Sequence, residues 1–94
     1  MDTLKHTNAI NIKNKTEQLL TVIVEYMHYV EEVPPNTEFS IVIKSGSEIN
    51  IYSFFDIEYQ GDIIVVLLNN KIELSGKYHL SFLIDNKCLY SDIL

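Results

Sequence analysis

Turn-forming clusters interrupt this chain so often that little room is left for long regular elements. "NKT" at 14–16, "PPN" at 34–36, "SGS" at 45–47, "QGD" at 60–62, "NNK" at 69–71, "SGK" at 75–77 and "DNK" at 85–87 punctuate 94 residues. Short segments between frequent turns predict an all-β domain. The segments are rich in β-branched and aromatic residues, which suit a pleated, half-buried surface. A chain of this length makes one domain with one modest core. The expected architecture is a single-domain antiparallel β-sandwich of seven or eight short strands spanning 1–94.

Alternation assigns the faces. "AINIK" turns Ile10 and Ile12 inward, and "TEFSIVIK" turns Phe39, Ile41 and Ile43 inward. "KYHLSFLID" buries Tyr78, Leu80, Phe82 and Ile84, leaving His79, Ser81 and Leu83 outside. "KCLYS" is a short terminal strand. "DIIVVLL" is apolar at every other position on both sides, the pattern of a central strand covered on both faces.

The segment 16–33 supports two readings. Leu19, Ile23, Tyr26, Val30 and Val33 recur at helical spacing, Asn14 and Glu17 fit a capping box, and Pro34 ends the run. That reading gives an α+β fold with one helix near 16–33. Against it stand Thr21 to Val24, four consecutive β-branched residues that are stiff in a helix. Glu31 and Glu32 also fall at the negative end of the helix dipole. The favoured reading is two strands, near 19–25 and 28–33.

Charge narrows the partners. Thirteen acids face seven lysines, arginine is absent, and the formal charge is −6. Arginine is the usual bidentate reader of phosphate and guanine, so nucleic acid is a poor ligand. An acidic surface attracts basic proteins instead. The longest aliphatic run, "IIVVLL" at 63–68, is far shorter than a membrane span. With no apolar leader in "MDTLKHTNAIN", the expected location is the cytoplasm. Cys88 is alone and reads as a buried small hydrophobe.

No catalytic or metal constellation emerges. His6, His28 and His79 are far apart, with no second ligand at metal-binding spacing. His79, Ser81 and Asp85 share a strand face, but alternate residues stand ~7 Å apart. A nucleophile and its base must approach to ~2.6–3.2 Å. Asp56 and Glu58 are a carboxylate pair at similar spacing, yet so small a sandwich has no room for a deep sugar cleft. Gly46, Gly61 and Gly76 are isolated turn glycines rather than a phosphate-cradling loop. The expectation is a protein that is not an enzyme and uses no cofactor or metal.

The stretch "INIYSFFDIEYQGD" at 49–62 is the most informative. Read as one strand, it places Ile49, Ile51, Phe55 and Ile57 on a core face. Tyr52, Phe54, Asp56 and Glu58 then share the opposite face, two aromatics beside two carboxylates. Either a bulge near 53–55 re-aims the rings into the core, or the rings anchor a partner while the carboxylates meet its lysines and arginines. A second acidic cluster, Glu31, Glu32 and Glu38, flanks the proline turn. The candidate partner-binding residues are Tyr52, Phe54, Asp56, Glu58, Glu31 and Glu32.

The run "NKTEQLLTVIVEYMHYVEEVPPNTEFSIVI", about a third of the chain, resembles a pattern of small bacterial β-sandwich proteins. In these an Asn-x-Thr turn leads into a strand ending Val-x-Val-Glu, and an acidic return strand ends in Pro-Pro-Gly. Asn14, Thr16, Val22, Val24, Glu25, Pro34 and Pro35 match. Asn36 replaces the glycine, and Tyr26-Met27 replaces a Pro-Trp. The resemblance implies strands at 19–33 and no chemistry. By size, acidity and composition the chain also resembles bacterial immunity proteins, including those of contact-dependent growth inhibition. That likeness implies an inhibitor that blocks a basic, nuclease-type toxin. The competing expectation is a structural or assembly module that self-associates, or binds a host protein, through an exposed strand.

Overall fold

A computed structural model describes residues 4–25, 27–69 and 76–94. Among the described residues eight strands and one helical turn follow in order: β1 His6–Lys13, β2 Leu20–Val24, β3 Tyr29–Val33, β4 Glu38–Ser45, α1 Ile51–Phe54, β5 Phe55–Gln60, β6 Ile63–Leu68, β7 Tyr78–Ile84 and β8 Lys87–Ile93. They form two four-stranded sheets, β1-β4-β7-β8 and β3-β2-β6-β5. The fold is the expected all-β sandwich. Its pairings are antiparallel except β2 with β6, which run parallel. Residues 70 and 71 of the turn signal at 69–71 and residue 75 of that at 75–77 fall outside the described residues, as does Tyr26.

The segment 16–33 is two strands, β2 and β3, so the one-helix alternative is overturned. Pairing places Leu20, Val22 and Val24 opposite Val33, Glu31 and Tyr29. The β-branched run therefore sits where its stiff rotamers cost nothing. Asn36 adopts a left-handed φ of 58°, which explains how asparagine serves in the proline turn. A two-residue hairpin joins β7 to β8, with Asp85 and Asn86 both at positive φ, the geometry that matches strand twist.

Between the sheets, Phe39, Ile41, Ile43, Leu80 and Phe82 meet Val22, Val24, Val33, Ile64 and Val66. Phe39 and Phe82 stack at 5.5 Å. On the β3/β8 side the core is closed by Tyr29 stacked on Tyr90 at 4.3 Å. Asn14 pins the β1–β2 corner from a buried position. Its Nδ2 donates to the carbonyls of Gln18 at 2.9 Å, Val33 at 2.9 Å and Pro34 at 3.2 Å. Its Oδ1 accepts from the Thr16 N–H and hydroxyl at 3.0 and 2.7 Å. The asparagine read as a possible helix cap is thus a clamp holding three backbone segments together.

The stretch 49–62 departs from expectation. Residues 51–54 form a single helical turn, and the strand begins only at Phe55. Asn50 caps the turn by accepting the Tyr52 N–H at 3.1 Å. In a helical turn, residues three apart share a face, so Ile51 and Phe54 both turn inward. Phe54 is 1% exposed and packs edge-on against Phe55 and Tyr78 at 5.1 and 5.0 Å. The shared outward face of Tyr52 and Phe54 therefore does not exist. Cys88 likewise differs from expectation: it is exposed, because it lies on edge strand β8 beside an irregularity in the β7–β8 register.

Candidate protein-docking face

β6 occupies the centre of its sheet, between β2 and β5, as its composition implies. Alternation sends Ile64, Val66 and Leu68 into the core and Ile63, Val65 and Leu67 to the opposite side. Among the described residues nothing provides the expected cover on that second side. Among the described residues, the element outside the sheets is α1, which contacts β5 and β1 and supplies no third layer.

The register shows what the uncovered face contains. Val30, Ile23, Val65 and Glu58 form one row across β3, β2, β6 and β5. Glu32, Thr21, Ile63 and Gln60 form the next. Leu67 lies opposite Asp56 in the third. Glu25, just past the end of β2, is hydrogen-bonded through its N–H to the Val66 carbonyl at 2.9 Å. Adjacent strands lie ~4.8 Å apart and alternate residues ~7 Å apart, so the apolar centre spans roughly 10 by 14 Å. Ile23, Ile63, Val65 and Leu67 are half-buried by their neighbours, while Val30 is 55% exposed.

Carboxylates ring this apolar centre. Asp56 and Glu58 stand on edge strand β5 and Glu32 on the opposite edge strand β3, all exposed. Among the described residues none of the three is in an ion pair, whereas Glu25 lies 3.4 Å from the His28 ring. The face therefore combines desolvatable surface with free negative charge.

Of the six residues singled out from sequence, Asp56, Glu58 and Glu32 meet on this face. Tyr52 is 78% exposed but projects from α1, off the sheet. Phe54 is in the core. Glu31 lies on the other side of β3, where its carboxylate accepts the Tyr29 hydroxyl at 2.7 Å. Partial burial, followed by that carboxylate, holds the Tyr29 hydroxyl well above the ordinary phenol range. Tyr90 is raised for the same two kinds of reason, with Asp92 as its acceptor at 3.2 Å.

The face depends on residues that the sequence reading did not select: Ile23, Val30, Ile63, Val65, Leu67 and Glu25. Their signal was present in "TVIV" and "IIVVLL", where both faces of neighbouring strands are apolar. Among the described residues no group of His, Cys, Asp and Glu is arranged to hold a metal. His79, Ser81 and Asp85 share no hydrogen bond, and His79 lies between Lys44 and Ile93 in the register.

No family model matches the chain. Comparison with curated proteins and with solved structures gave no match either.

Proposed function

We propose that this protein is a non-catalytic binding protein that docks a basic protein on the outer face of the β3-β2-β6-β5 sheet. The observation that carries the reading is the apolar centre of Ile23, Val65, Leu67 and Val30, which no described residue covers and which Asp56, Glu58 and Glu32 flank without an ion pair among the described residues. Apolar side chains at the centre of an interface provide most of its energy, and charges at its rim steer encounter. A formal charge of −6 adds a long-range attraction toward cationic partners. The concrete form of the proposal is a cytoplasmic immunity protein that occupies the cationic groove of a nuclease-type toxin. The likeness in size and acidity to immunity proteins supports that form.

The test is binding to a basic toxin domain encoded beside this gene, measured at two salt concentrations. The expected result is a one-to-one complex that weakens with salt and abolishes the nuclease activity. Replacing Asp56 and Glu58 by Lys lowers affinity by more than about tenfold, since close interfacial charge pairs carry couplings above ~1.4 kcal/mol. Val65→Asp has a comparable effect. Unchanged affinity in both variants excludes this face.

Self-association is the second reading. It is favoured by β8, an edge strand with Leu89 and Ile93 exposed. A stable homodimer protecting the β8 amides from exchange, with the outer face of β6 unprotected, selects it.

A further inference from the structure

The backbone of β5 offers more than its outer side chains. The Phe54 carbonyl accepts the Asn69 N–H at 2.9 Å, so it points toward β6. Along an antiparallel pair, successive residues alternate in the side to which their backbone groups point. Asp56, Glu58 and Gln60 therefore turn N–H and C=O toward their partners Leu67, Val65 and Ile63. The other side of β6 agrees: the Asp62 and Val66 carbonyls accept from Thr21 and Glu25, so the residues between serve β5. Phe55, Ile57 and Tyr59 point their groups off the sheet. The Phe55 N–H closes the helical turn on the Ile51 carbonyl. Among the described residues the N–H and C=O of Ile57 and Tyr59 have no partner.

An unpaired edge is a template for another strand. At the opposite edge of this sheet, on β3, the outward Glu32 N–H is already taken by the Glu31 carboxylate at 3.2 Å. On β5 no carboxylate takes an outward N–H, and its register with β6 is unbroken. Charge says which strand fits. Asp56 and Glu58 are exposed on the outer side, in no ion pair among the described residues. On the inner side are half-buried Ile57 and the Tyr59 ring, 69% exposed, beside the apolar cleft walls Ile12, Leu20 and Ile64. The described lysines, Lys5, Lys13, Lys15, Lys44, Lys77 and Lys87, all lie on, or within two residues of, strands of the other sheet. Of these, Lys13 and Lys15 border the cleft on the inner side, and none shares the outer side with Asp56 and Glu58.

We propose that β5 pairs antiparallel with an extended segment of a basic protein, its Lys or Arg residues facing Asp56 and Glu58 and its apolar residues facing Ile57 and Tyr59. A strand laid on β5 alternates as β5 does, so one period of two satisfies both sides. The proposal rests on the cationic partner argued above and adds how a segment of that partner is held, by backbone bonds to Ile57 and Tyr59.

The test titrates acetyl-Lys-Val-Lys-Val-Lys-amide into the intact protein and follows amide and methyl NMR. The comparison peptides are acetyl-Lys-Lys-Lys-Val-Val-amide, equal in charge and composition, and acetyl-Glu-Val-Glu-Val-Glu-amide. The alternating basic peptide is expected to move the Ile57 and Tyr59 amide protons downfield, saturably, and to bind more tightly than either comparison. Methylating its two valine nitrogens abolishes those shifts. Tyr59→Pro removes one outward N–H and leaves the β5–β6 ladder intact, as a proline on an edge strand allows. Compared with Tyr59→Ala, which keeps that N–H, it weakens binding by roughly twofold to tenfold, the worth of one hydrogen bond. Equal binding of the two basic peptides, with shifts at Val65 and Leu67 instead, overturns the edge proposal and leaves the outer-face reading standing. Equal binding of the acidic peptide overturns it together with the cationic partner. Absent shifts at Ile57 and Tyr59, or shifts that survive methylation of the valines, overturn it as well.

Discussion

Replacing Phe54 by alanine tests the helical turn that re-aims the stretch 49–62. A Phe side chain buries ~150–250 Å². At ~25 cal/mol per Å² that is roughly 4–6 kcal/mol, an upper bound because the unfolded chain already hides some surface. Measured Phe→Ala losses of about 3–5 kcal/mol in cores agree. Phe54 is 1% exposed, so the whole side chain counts, and its edge-on contacts with Phe55 and Tyr78 are lost as well. Domains of this size have only ~5–14 kcal/mol in total. The variant is therefore expected to lose about 3–5 kcal/mol, with a melting temperature lower by more than ~12 °C. Tyr52→Ala, two positions away and 78% exposed, is expected to change stability by less than ~0.5 kcal/mol. Urea unfolding followed by circular dichroism, with the slope checked for constancy, reads both values. In a continuous strand the two side chains share one face and the two losses are similar. Similar losses therefore refute the helical turn and return Phe54 to the surface.

Two further perturbations follow from the structure. Asn14→Asp keeps the shape of the clamp but removes the three Nδ2 bonds to carbonyls and sets a carboxylate against them; at ~1–3 kcal/mol per buried group left unpaired, a loss of at least ~2 kcal/mol is expected in urea unfolding, larger than for a substitution of exposed Lys15. Tyr29 has a raised folded pKa, so it adds stability below its unfolded value near ~10 and loses that contribution as pH climbs toward the folded value. The urea midpoint is therefore expected to fall on raising the pH above ~10, and Tyr29→Phe, which has no hydroxyl to ionise, is expected to flatten that fall.

Strands β1, β4 and β7 were readable because a half-buried strand records its buried side in a period of two, and Ile10, Phe39, Ile41, Leu80 and Phe82 obey it. Residues 51–54 were not. One helical turn is shorter than any window in which periodicity emerges, and its signs are only the Asn50 cap and the three-residue spacing of Ile51 and Phe54. The run 63–68 was read correctly as central, and among the described residues its second face has no cover. Apolar residues on both faces of a strand record that both are meant to leave water. They do not say whether the second cover belongs to the same chain. Cys88 was misplaced for a related reason, since an edge strand leaves exposed a side chain that an interior strand buries.

That uncovered second face distinguishes two possible occupants. A second copy brought face to face would set Asp56, Glu58, Glu32 and Glu25 against their own duplicates, in molecules each carrying −6. Like charges brought together at an interface cost several kcal/mol, which opposes the gain from Ile23, Val65 and Leu67. A basic partner turns the same charges into attraction. Salt separates the two cases by sign. The screening length falls from ~10 Å at 0.1 M to ~3 Å at 1 M, so added salt weakens a basic partner and strengthens self-pairing. Sedimentation of the isolated protein is expected to show a monomer at low salt, with any dimer that uses this face gaining population as salt rises. A dimer through this face that is tightest at low salt would mean that the carboxylates do not govern what docks there, and the choice of a cationic partner would lose its physical basis.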